Sequence, residues 1–183
     1  LPAAPFMHGA AHWMAFTALN GGSAVVLPDN PTTLDAADIW STVERERVSV
    51  LLIVGDAFAR PLLDELDRGT YDTSSMFMLV SGGASLGAPL KAAFLERIPN
   101  MVIMDGLGSS EAGTQARQIV AAGGPTSTGT FTPEPGMCVV DEDMTRVLEG
   151  PDTDLGWLAQ AGRVPHGYLG AADKTRRTFP EID

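Results

Sequence analysis

The spacing of apolar positions changes several times along the chain, and each change marks an element. From His8 to Leu19 small and apolar residues dominate (Ala10, Ala11, Trp13, Met14, Phe16, Leu19), and Asn20-Gly21-Gly22 then ends the segment as a helix C-terminus does. A short strand is expected over Ala24–Leu27, closed by Pro28. Thr33 is the candidate cap of a helix with Leu34, Ala37, Trp40 and Val43 at intervals of three. That helix runs into Glu44-Arg45-Glu46-Arg47, a solvated surface turn rather than a binding patch. Val48–Val54 is an almost unbroken β-branched and leucine run, the pattern of a strand buried on both faces, and Gly55-Asp56 opens another helix through Leu66.

The unit repeats. Met76–Val80 reads as a strand, Ser81-Gly82-Gly83-Ala84 as a turn, Pro89–Ile98 as a helix and Met101–Met104 as the next strand. Alternation of strand and helix predicts an α/β fold with a parallel sheet and flanking helices. After Gly123-Gly124-Pro125 the segments shorten, with strands expected at Thr128–Phe131, Met137–Val140, Arg146–Leu148 and Trp157–Ala161. This places a boundary near residue 125, with an α/β part over 1–125 and a small β-rich, barrel-like part over 126–183. Asp173–Phe179 is a candidate final amphipathic turn or helix, and Asp173-Lys174-Thr175-Arg176-Arg177 its solvated face.

Composition narrows the function classes. In 183 residues, 44% are hydrophobic, and 23 acidic against 12 basic side chains give a formal net charge of -11. Nucleic acid is thereby excluded as an expected partner, since neutralising phosphates requires clustered Lys and Arg. The one cysteine, Cys138, forms no internal disulfide, and with three scattered histidines it offers no zinc spacing. It reads as a small half-buried hydrophobe. No apolar run reaches the ~18 residues of a membrane span, and the start has no signal-peptide pattern, so a cytoplasmic location is expected. Leu1-Pro2-Ala3-Ala4-Pro5 resembles an interior loop, and the chain is expected to be part of a longer protein.

Two glycine-rich turns follow buried strands, at the carboxyl edge where parallel sheets collect ligands: Ser81-Gly82-Gly83-Ala84 and Asp105-Gly106-Leu107-Gly108-Ser109-Ser110-Glu111. Glycine permits close backbone approach to a nucleotide, and hydroxyls beside a carboxylate suit phosphate oxygens and a hydrated magnesium ion. Each turn also has a plain structural reading. Gly-Gly after a strand makes a tight turn, and Ser109 or Ser110 would serve to cap a helix.

In their order, Ser81-Gly82-Gly83-Ala84-Ser85-Leu86, a helix, a strand and then Gly106-Leu107-Gly108-Ser109-Ser110-Glu111 resemble the adenylate-forming superfamily of acyl-CoA synthetases, luciferases and peptide-synthetase adenylation domains. Pro5-Phe6-Met7-His8-Gly9 is similar to that family's Pro-x-x-His stretch, and Gly156-Trp157-Leu158 through Gly167-Tyr168 to its Gly-Glu-Leu and Gly-Tyr segment, with Trp157 in place of the glutamate. The resemblance implies that Gly82, Gly83 and Ala84 lie along the adenine, with Asp105 and Gly106 beside it and Leu107 where many members carry an aromatic ring. It implies that Gly108, Ser109 and Ser110 meet phosphate, that Ser110 and Glu111 are catalytic, and that Glu111 helps hold magnesium. His8, Trp13 and Met14 would line the acyl channel. From the residues alone, His8 also reads as a core histidine on an apolar helix, and for His12 that is the preferred reading.

By the same resemblance the parent protein is an AMP-forming acid–thiol ligase using ATP, Mg2+ and coenzyme A. Its acid would be a medium- or long-chain fatty acid or a steroid-derived carboxylic acid, because Gly-Leu-Gly-Ser-Ser-Glu-Ala-Gly resembles actinobacterial ligases of those substrates. The family's Lys-ending phosphate loop, its ribose-binding Gly-Asp and its C-terminal lid are not within these residues, so the chain alone is expected to be inactive and to need the N- and C-terminal segments of the same enzyme. The alternatives are another adenylate-forming enzyme, luciferase-like or of the peptide-synthetase kind, and a non-catalytic nucleotide-binding α/β module.

Overall fold

The computed structural model describes residues 1–149 and 155–182. Their elements are, in order, α1 (Gly9–Asn20), α2 (Ala36–Glu46), β1 (Val50–Ile53), α3 (Gly55–Arg68), β2 (Met78–Gly82), α4 (Ala88–Arg97), β3 (Val102–Ser109), β4 (Gly113–Ala121), β5 (Thr132–Pro133), β6 (Met137–Val140), β7 (Trp157–Gln160) and α5 (Ala172–Thr178). The chain forms two compact units, one of residues 1–107 and 117–132, the other of residues 108–116 and 133–183.

In the first unit β1, β2 and β3 are parallel, with Leu51 opposite Leu79 and Leu79 opposite Ile103. This is the predicted α/β arrangement. Alternate residues of β1 serve opposite faces, as the period of two in a strand requires. Leu51, Ile53, Leu79 and Ile103 pack with Trp40 and Val43 of α2, Leu62 of α3 and Phe94 of α4. On the other face Leu52 packs with Ala4 and Ala11, and Val54 and Val80 join them with Met14. Trp40 is wholly buried, and its Nε1–H donates to the Leu62 carbonyl at 2.8 Å, which satisfies the indole inside the apolar layer.

Several expectations are corrected. Ala24–Leu27 is not a strand. The second helix is capped by Asp35, whose side chain accepts from the Asp38 N–H, not by Thr33, and Leu34 lies exposed outside it. Thr128–Phe131 is not a strand either, and Arg146–Leu148 reduces to one bridge between Val147 and Val140. The first residues follow a loop path that touches the sheet at one point, where Pro2 bridges Leu52 in parallel, with the Leu52 N–H donating to the Leu1 carbonyl at 2.9 Å and the Ala3 N–H to the Leu52 carbonyl at 2.9 Å.

The sequence reading has no counterpart to β4, which follows β3 in a five-stranded sheet ordered β1-β2-β3-β4-β5. In the second unit β6 and β7 are antiparallel, with Val140 opposite Trp157, and Cys138 is half-buried in β6. Among the described residues no helix is long and apolar enough to cross a membrane.

Candidate functional site

In the first unit, the ends of β2 and β3 come together. Gly82 stands opposite Gly106 in register, and Ser81 opposite Asp105. Ser81 and Gly82 complete the strand rather than begin the turn, which starts at Gly83 with φ of 82°. An L-residue is strained there, so glycine is needed for the backbone path. Gly82 differs, because a Cβ on it would meet only the Gly106 carbonyl oxygen at 3.4 Å.

The turn is held from below by residues with no prior signal of a role. The buried Ser81 hydroxyl accepts from the Gly55 N–H at 3.2 Å. The Asp56 N–H donates to the Ser85 carbonyl at 2.9 Å, and the Asp56 carboxylate accepts from the Gly87 N–H at 2.7 Å. Thus the first turn of α3 holds this segment at Ser81, Ser85 and Gly87, leaving Gly83 and Ala84 exposed and Gly82 half-buried.

Asp105 is not exposed beside that turn. Its carboxylate is buried and lies 2.7 Å from the Lys91 Nζ of α4, whose side chain is fully buried. The same ammonium donates to Gln118 Oε1 at 2.6 Å and to the Ser127 carbonyl at 3.0 Å. Burial pushes the Asp105 carboxyl above the usual range, and Lys91 opposes that shift. Lys91 shares the inward face of α4 with Phe94 and Leu95, one helical turn on. A lone lysine at core spacing is the signal that would have found it.

Leu107 is 39% exposed in β3. On α1, Met14 packs against the cluster of Ala4, Ala11 and Leu52, Trp13 is 42% exposed, and His8 is the N-cap residue but its side chain makes no capping hydrogen bond. His8 and His12 are both exposed, which removes the core-histidine reading, and His12 stacks on Phe16 at 4.7 Å.

The stretch Asp105–Glu111, expected as a long turn, is mostly strand, since β3 continues to Ser109. No helix begins there, so the capping reading of Ser109 and Ser110 is overturned. Ser109 Oγ instead accepts the Ala112 N–H at 3.1 Å and closes the β3–β4 hairpin, with Ser110 exposed at its tip. Gly108 is fixed by that hairpin, because a Cβ on it would lie 2.0 Å from the Gly113 carbonyl oxygen.

Glu111 is half-buried in the same hairpin, and the Tyr168 hydroxyl donates to its Oε1 at 2.5 Å. This hydrogen bond, with smaller help from Lys174 and Ser109, holds the Glu111 carboxyl below its ordinary value. No cluster of three or more His, Cys, Asp or Glu suited to a metal occurs among the described residues. Glu111 still suits magnesium, which is commonly held by one or two carboxylates with the remaining positions filled by substrate phosphates and water.

Residues 1–165 match the family described as AMP-binding enzyme. The chain belongs to that family. It is 45% identical over 98% of its length to a Mycobacterium avium protein named medium-chain acyl-CoA ligase Mig, covering 32% of that protein. It is 39% identical, over its whole length, to 33% of a Mycolicibacterium smegmatis protein named medium/long-chain-fatty-acid–CoA/3-oxocholest-4-en-26-oate–CoA ligase. The chain thus spans about a third of the length of these curated relatives. The fold matches that of the nonribosomal peptide synthetase FmoA3, with a TM-score of 0.82 at 19% identity over 97% of this chain and 20% of that one. It also matches the anthranilate CoA ligase AuaEII, with a TM-score of 0.63 at 20% identity over 87% of this chain and 30% of that one. The AMP-binding fold therefore agrees with the α/β architecture expected from the strand and helix alternation.

Proposed function

We propose that this chain is the nucleotide-handling middle of an AMP-forming acyl-CoA ligase acting on a medium- or long-chain fatty acid or a steroid-derived acid. The observation that carries the reading is the family match over residues 1–165, which includes both glycine-rich segments and Glu111. In this reading Gly82, Gly83, Ala84, Asp105, Gly106 and Leu107 serve the adenine side of ATP, Gly108, Ser109 and Ser110 the phosphates, and His8, Trp13 and Met14 the acyl channel. Asp105 acts through the strand it anchors, since its carboxylate is engaged by Lys91.

A substrate carboxylate oxygen attacks the α-phosphorus of ATP, the bond to the pyrophosphate oxygen breaks, and an acyl-adenylate and pyrophosphate result. The sulfur of coenzyme A then attacks the acyl carbon, AMP leaves with the bonding electron pair, and the thiol proton passes to solvent. Magnesium, when bound, offsets the negative charge of the phosphates. Ser110 donates a hydrogen bond to phosphate, and Glu111 holds the ion. Relatives named for acyl and sterol acids support the substrate class.

The test is an assay of the complete enzyme with ATP, coenzyme A and acids of graded length plus a sterol acid. AMP formation that needs coenzyme A and favours the longer acids is expected. Full AMP release without coenzyme A would point to an adenylating enzyme with another acceptor, and preference for short or amino acids would overturn the substrate class. The isolated chain is expected to show no turnover in the same assay, and activity near that of the complete enzyme would refute this.

A further inference from the structure

The second unit devotes an unusual amount of structure to one phenol. Tyr168 has its own N–H donating to Thr175 Oγ1 at 2.9 Å, the Lys174 ammonium 4.0 Å above its ring centroid, and the Phe179 ring 5.6 Å away. Thr175 in turn donates to the Ala171 carbonyl at 3.0 Å, which ties this hydroxyl to the start of α5. The preceding residue must be glycine, since a Cβ on Gly167 would meet Thr175 Cγ2 at 2.3 Å. Backbone, α5 and two side chains therefore fix the ring, and its hydroxyl meets Glu111 Oε1 at 2.5 Å across 57 residues of sequence.

We infer that Tyr168 is a positioning residue that holds the Glu111 carboxylate in one orientation for a magnesium–nucleotide ligand. The inference rests on the reading of Glu111 given above. A carboxylate offers about four lone-pair sites, so one bond from Tyr168 leaves acceptor capacity for an ion. A flexible glutamate must be ordered when it binds, and a donor that orders it beforehand removes that cost. Lys174 over the ring and Phe179 beside it keep the phenol from swinging away. The tyrosine is thus half-buried, gripped on several sides and aimed at this carboxylate.

The test measures calorimetric binding of ATP, with magnesium and with chelator in its place, to the complete enzyme and to Tyr168→Phe, Glu111→Gln and the double variant. Tyr168→Phe keeps the ring and removes only the hydroxyl. The expected result is a roughly three- to tenfold weaker magnesium-dependent affinity in Tyr168→Phe, with metal-free ATP binding unchanged. Glu111→Gln is expected to lose the magnesium-dependent part, and adding Tyr168→Phe to it is expected to change nothing more. An equal loss from Tyr168→Phe in both backgrounds means a general structural role and overturns the inference. So does wild-type affinity in Tyr168→Phe while Glu111→Gln is impaired, which leaves the Glu111 reading standing. If Glu111→Gln keeps full magnesium dependence, the Glu111 reading itself fails and the inference falls with it.

Discussion

Replacing Lys91 by methionine tests the network under β3. The change keeps the unbranched stem and removes an ammonium that lies 2.7 Å from Asp105, 2.6 Å from Gln118 and 3.0 Å from the Ser127 carbonyl. Both charged side chains are nearly without solvent, at 0% and 3% exposure, so the aspartate cannot be rehydrated in place. Breaking a buried pair from one side typically costs about 3–5 kcal/mol. For a chain of this size that corresponds to a fall in Tm of roughly 6–20 °C, at about 2–4 °C per kcal/mol. The sign with pH follows from the carboxyl, whose folded-state value already lies above its ordinary 3.8 through burial. Without Lys91 it rises further. A carboxyl raised on folding favours the folded state fully below its unfolded value, and that benefit is lost as pH rises through the folded value. The Lys91→Met deficit should therefore be smaller at about pH 5 than at about pH 8. Asp105→Asn, introduced into Lys91→Met, should recover part of the loss by removing the stranded charge. Melting followed by circular dichroism measures all of these. A Lys91→Met Tm within about 2 °C of wild type at the higher pH, or a deficit independent of pH, would refute the reasoning.

The two signature glycines should part company. Gly108→Ala should lower Tm markedly, since its Cβ would sit 2.0 Å from the Gly113 carbonyl oxygen, whereas Gly82→Ala, 3.4 Å from its nearest obstacle, should melt like wild type and show any effect in ATP affinity alone. Trp40→Phe should cost about 1–3 kcal/mol in denaturant titration by removing the indole's hydrogen bond to the Leu62 carbonyl and leaving a void where the larger ring packed, and an unchanged midpoint would refute this. The Tyr168–Glu111 contact should contribute above the ordinary glutamate value of 4.5 and fade as pH falls through the lower folded value, a change visible in the Tyr168 ring resonances and absent from Glu111→Gln.

The parallel core was legible because burial writes itself into residue type. Val48–Val54, with Leu51, Leu52 and Ile53 almost fully buried, has no other plausible use than a central strand. Helix starts were less legible, since Thr33 and Asp35 are both acceptable caps and only the hydrogen bond to Asp38 chooses between them. β4 was missed because its apolar positions alternate poorly: the buried residues include Gln115, and Ile119 is 60% exposed. The glycine-rich segments could be located, but their conformations could not. Asp105–Ser109 reads as a loop by composition and is a strand by pairing, because ladder bonds outweigh the weak strand preference of glycine. The contacts of Asp105 with Lys91 and of Glu111 with Tyr168 join residues 14 and 57 apart, and no local pattern announces either.

Gly108 bears on how the family's signature is read in other genomes. A glycine held only by a nucleotide would drift once a lineage stopped using the nucleotide. Gly108 is instead trapped by the carbonyl of Gly113 in its own hairpin, so a descendant that abandoned the chemistry would keep it as long as the hairpin folded. Retention of that glycine in a distant gene is therefore a record of folding, and under the role proposed for Glu111 the fate of that carboxylate would be the better witness to whether an enzyme is still there.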